Sequence, residues 1–69
     1  MREIEASLET EYPAYSRIWV QYSQKGNYHL CLTLFPRDNS RYQMVFGEVN
    51  TLSQEKISNI LRNYLAKQK

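Results

Sequence analysis

The 69-residue chain predicts an α+β fold: a three-stranded antiparallel β-meander packed on a C-terminal α-helix (βββα), with a short N-terminal helix extending the order to αβββα. Three observations lead there. Between residues 16 and 46, apolar and polar side chains alternate in three runs, the period of strands that bury one face. SQKGN and PRDNS, both rich in turn formers, separate the runs. The last segment, TLSQEKISNILRNYLAKQK, changes to a helical period.

The first residues, MREIEASLETE, place Ile4 and Leu8 at i, i+4 among glutamates, which suits one short amphipathic helix. Pro13 ends it, because proline disfavours helical geometry in the residue before it and lacks a backbone N–H. An extended or frayed N-terminus competes with this reading, since isolated helices of that length are marginal in water.

Strand character begins at Ser16 and runs to Tyr22, with Ile18, Val20 and Tyr22 alternating against Arg17, Trp19 and Gln21. Gly26 supplies the positive φ that a hairpin turn or bulge needs. The second strand spans Tyr28–Phe35 and Pro36 closes it. Asp38 and Asn39 in the following loop bond their own backbone or adopt left-handed geometry. The third strand spans Arg41–Phe46, with Gly47 taken as its end.

In the last segment Ile57, Ile60, Leu61, Tyr64 and Leu65 form one helical stripe. Ser53 is the expected N-cap, and Leu52 with Ile57 form a hydrophobic staple across it. Glu55 falls in the positive first turn, while Lys67 and Lys69 lie toward the negative end. The stripe needs an apolar surface. The sheet face of Ile18, Val20, Tyr22, Tyr28, Leu30, Leu32, Leu34, Met44 and Phe46 is the expected match, giving two layers.

The length allows one domain, residues 1–69, made of an acidic segment (1–13), the meander (15–47) and the helix (53–67). A chain this short buries only about 60% of its unfolded surface, so a dimer or bound partner is expected on stability grounds. Both sheet edges are read as uncovered, which would let two copies pair edge to edge. A single cysteine excludes an internal disulfide and a CxxC metal knuckle, and points to a reducing, cytoplasmic setting. The acidic start lacks the character of a signal peptide, and no long apolar run marks a membrane span.

The net charge of +2 is uneven: residues 1–11 carry one arginine against four glutamates (−3), and the rest carries +5. A basic body admits a polyanion as partner, although mixed-charge surfaces are the ordinary case.

Catalytic, metal and cofactor chemistry find little support. His29 and Cys31 are the sole histidine and cysteine. At i, i+2 on one strand their Cβ atoms stand about 7 Å apart, long for a thiol–imidazole bond. Two such ligands fall short of a structural zinc set, and neither glycine belongs to a phosphate loop. The expectation is a non-enzyme without metal or cofactor.

The remaining candidate is the sheet's second face: Arg17, Trp19 and Gln21; His29, Cys31, Thr33 and Phe35; Arg41, Gln43 and Val45. Tryptophan, tyrosine and arginine are enriched where proteins meet. We therefore expect a small binding or regulatory module that docks on another protein, or on itself, through Arg17, Trp19, Gln21, His29, Arg41 and Gln43. The alternative is nucleic acid on the same face: Arg and Gln reading base edges, Trp19 and His29 stacking bases, Lys25 and Arg37 reaching phosphates. The element order is similar to that of small three-stranded DNA-binding modules, in architecture only. It is also that of the double-stranded-RNA-binding domain, whose last helix starts lysine-rich where this chain reads SQEKIS. In a competing arrangement, Ile4 and Leu8 fold over Trp19, Phe35 and Val45 as a second core layer and leave no open face.

Overall fold

Periodicity, capping and turn residues act together along the whole chain. In a computed structural model, which describes residues 1–68, they give α1 (Arg2–Glu11), β1 (Tyr15–Lys25), β2 (Asn27–Pro36), β3 (Gln43–Val49) and α2 (Gln54–Ala66). The strands form one antiparallel sheet in the order β1-β2-β3, as the meander requires. Lys69 lies outside the described residues.

The β1–β2 hairpin turns at Gly26, whose φ of 79° is the conformation glycine adopts without steric cost. In the PRDNS loop Asn39 takes φ 64°, and the Asp38 carboxylate accepts the Ser40 N–H at 2.9 Å. The Ser40 side chain and, with it, the Ser40 N–H hold the Asp38 carboxyl below its ordinary value. At α2, the Ser53 hydroxyl accepts the Lys56 N–H at 3.2 Å, and Leu52 and Ile57 both join the core.

That core lies between one sheet face and both helices. Leu8, Ile18, Leu32, Leu34, Ile57 and Leu61 are fully enclosed. A register shift between Tyr15 and Arg17 resets the alternation, so Tyr15 and Ile18 both turn inward. Leu8 enters this same core with Ile4 packed against it, so α1 and α2 share one side of the sheet. The competing arrangement, with the N-terminal segment over Trp19, does not occur. The Ser58 hydroxyl of α2 donates to Glu11 of α1 at 2.7 Å and ties the two helices together.

The structure corrects the phase of the third strand. It starts at Gln43, not Arg41, and runs through Gly47 to Val49. Val45 and Val49 are buried, whereas Met44 and Phe46, expected inside, are 47% and 73% exposed. Two apolar pairs, Met44/Phe46 and Val45/Val49, compete for the inner face, and a one-residue slip exchanges them. Gly47 decides between them. It sits inside β3 beneath Ile60, where a Cβ would come within 2.7 Å of the isoleucine Cδ1. With Gly47 inward, Val45 and Val49 must also be inward. Tyr22 points to the helix side but is half exposed, because the hairpin runs past the helices; its ring meets Tyr28 edge-on at 5.8 Å.

The expected pair of open edges is also corrected. Glu5 and Glu9 follow Ile4 and Leu8 by one residue, about 100° further round the helix. That angle aims them at the outer edge of β1. Glu5 Oε2 accepts the Val20 N–H at 2.7 Å, and Glu9 Oε2 accepts the Ile18 N–H at 3.0 Å. The β1 edge is therefore closed at Ile18 and Val20 by carboxylates instead of a strand, and stays open beyond α1 at Tyr22 and Gln24.

Candidate interaction face

Because both helices occupy one side, no layer covers the sheet's other side among the described residues. Its side chains follow from the register. Trp19, Thr33 and Met44 make one cross-strand row; Gln21, Cys31 and Phe46 make the next; Ser23, His29 and Glu48 make a third. Arg17 stands opposite Phe35, whose ring lies 5.9 Å from that of Tyr42. Trp19, Tyr42, Met44 and Phe46 are all large, apolar or aromatic, and exposed. Thr33 is nonetheless buried, screened by Trp19 and Met44 across the strands. The face is thus apolar and aromatic from its centre to the loop end, and polar at the hairpin end where Ser23, His29 and Glu48 stand.

At one end the face hollows into a groove of about 630 Å³ lined by Arg17, Trp19, Phe35, Pro36, Asn39 and Tyr42. Aromatic rings form its walls and the PRDNS loop its rim. Such a surface buries apolar area with little rotamer entropy lost, since aromatic side chains have few torsions.

Two of the cations expected to work on this face, Arg17 and Arg37, are engaged elsewhere. Arg17 turns round the β1 edge and donates to Glu5 and Glu9, each at 3.2 Å. Arg2 holds the same carboxylates from the far side, at 3.1 and 2.7 Å. Burial pushes the Glu9 carboxyl up, but the Ile18 N–H and Arg2 outweigh it and hold its pKa below the ordinary value. His29 Nδ1 lies 3.5 Å from Glu48, which also accepts from Asn27 at 2.7 Å. Arg37 donates through Nε to the Pro13 carbonyl at 3.0 Å, bracing the β2–β3 loop against the α1–β1 turn.

Of the residues expected here, Trp19, Gln21 and His29 lie exposed on the face, as the alternation implied. Gln43 does not. It is on the helix side, where its Oε1 accepts the Tyr64 hydroxyl at 3.0 Å. Arg41 precedes β3 in an exposed loop and takes no place in the strand rows. Lys25 is exposed beside the hairpin turn. Met44 and Phe46 were missed, and both follow once Gly47 is read as an interior residue of the strand.

Compared with known protein families, curated protein sequences and solved structures, the chain gives no match in any of the three. No helix among the described residues is long and apolar enough to cross a membrane.

Proposed function

We propose that this chain is a small non-enzymatic binding module that docks on a protein through the outer face of its sheet. One observation carries the reading: Trp19, Tyr42, Met44 and Phe46 stand exposed together on the sheet face opposite both helices of the described residues. A contiguous apolar patch on so small a domain marks an interaction surface, because leaving it wet forgoes burial worth about 25 cal/mol per Å². Nucleic acid receives less support, since Arg17 and Arg37 have partners within the chain.

The test pairs Trp19→Ala and Phe46→Ala with the unaltered chain in affinity capture, with circular dichroism monitoring the fold. Binding lost in both folded variants supports the reading; binding retained in both sinks it. Fluorescence anisotropy with labelled DNA and RNA at rising salt is the second arm. Binding that collapses steeply with salt would transfer the face to nucleic acid.

A further inference from the structure

The two edges of the sheet are treated unequally. At β1, Glu5 and Glu9 occupy the outward N–H groups of Val20 and Ile18. At β3 no further strand lies alongside among the described residues. The groups left open there can be named. Backbone N–H and C=O groups alternate in direction along an antiparallel strand. Since Ile18 and Val20 point away from β2, Trp19 and Gln21 bond to Thr33 and Cys31. On β2, Leu30, Leu32 and Leu34 then turn toward Gly47, Val45 and Gln43. This leaves Met44, Phe46 and Glu48 with their N–H and C=O groups on the free edge.

β3 does little to protect that edge. Natural edge strands are blunted by charged side chains, lysine above all, by proline, by bulges or by a covering element, and the one charge here, Glu48, faces Asn27 and His29 of β2. QMVFGEV has no lysine and no proline, and it pairs with β2 in unbroken register from Gln43 to Val49. Its most exposed residue is Phe46, in the middle of the run. A groove of about 290 Å³ between Met44–Gly47 and Asn63, Tyr64 and Lys67 of α2 leaves the strand open to approach on the helix side as well.

We propose that two copies of this chain pair antiparallel through the free edge of β3, about a twofold axis at Phe46, forming one continuous six-stranded sheet. The strand is self-complementary in this register. Phe46 meets the second copy's Phe46 in a hydrogen-bonded pair, and Met44 meets Glu48 on either side. Every open N–H and C=O of Met44, Phe46 and Glu48 then finds a partner. The one charge on the strand falls opposite a methionine, so no like charges face each other, and the aromatic pair adds a favourable cross-strand contact. The two outer faces come to lie side by side as one surface. The pairing uses backbone at the sheet edge, so it stands whether or not the outer face takes a protein partner.

Sedimentation equilibrium across micromolar to millimolar concentrations, combined with amide hydrogen exchange, tests it. The expected result is a monomer–dimer equilibrium in which the amides of Met44, Phe46 and Glu48 become protected as concentration rises. The Tyr22 and Gln24 amides, on the β1 edge beyond α1, stay unprotected at every concentration. Phe46→Pro removes an outward N–H, which an edge strand tolerates, together with the ring of the cross-strand aromatic pair. It should weaken the dimer about 30-fold or more, 30-fold being the equivalent of the two symmetry-related hydrogen bonds alone, while Trp19→Ala leaves it unchanged. A monomer at all concentrations overturns the proposal. So does a dimer that leaves the β3 amides unprotected, or one that Trp19→Ala breaks and Phe46→Pro does not. The exchange measurement decides on the unaltered chain even if Phe46→Pro fails to fold.

Discussion

Replacing Glu5 tests whether carboxylates can stand in for a missing strand. The Glu5 side chain is 5% exposed, with one oxygen on the Val20 N–H at 2.7 Å and the other on Arg2 and Arg17. Glu5→Ala leaves a buried N–H without a partner, at about 1–3 kcal/mol, and removes charge-assisted bonds worth about 1.5–3 kcal/mol. These terms overlap, so the expected loss is about 3 kcal/mol. For a domain this small that corresponds to a fall in Tm of roughly 12–24 °C. Glu5→Gln keeps an acceptor for Val20 but turns an amide toward two guanidinium groups, and should cost about half as much. Glu3→Ala, at an exposed site on the same helix, should cost under about 0.5 kcal/mol. Urea denaturation followed by circular dichroism gives all three values. If Glu5→Ala costs no more than Glu3→Ala, the carboxylate is not closing the edge and α1 does not cap β1.

Two further outcomes follow from the same geometry. Glu9 has a folded-state pKa below its ordinary 4.5, so its contribution to stability is fully present above that pH. It is lost as pH falls below 4.5 through the lower folded value; Glu9→Gln should flatten the urea midpoint against pH in that acid range and leave its slope near neutrality unchanged. Gly47→Ala places a Cβ 2.7 Å from Ile60 Cδ1 and 2.9 Å from its Cγ2, and should cost about 1–3 kcal/mol from overpacking. The double variant with Ile60→Ala should recover part of that loss in a thermal melt, and strictly additive effects would show that the two residues do not compete for space.

The sequence determined by itself whatever depends on neighbours within a few residues. The stripe Ile57–Leu65 with its Ser53 cap made α2 legible, Gly26 and PRDNS made the turns legible, and Leu30, Leu32 and Leu34 identified the inner side of β2. Trp19 was assigned to the outer face from its alternation with Ile18 and Val20. Tertiary structure decided what depends on contacts across the fold. The inner face of β3 had two apolar pairs to choose from, and Ile60, thirteen residues beyond Gly47, settled it by leaving no room for a Cβ. The acidic start looked like a solvated helix face. Two of its glutamates serve backbone groups up to 15 residues away, and in doing so they draw Arg17 off the face where it was expected. Side-chain period reports which residues share a side. Which side is covered, and which edge is left open, depends on where two helices come to rest, and those positions follow from long-range packing and from the need to satisfy the N–H groups of an edge strand.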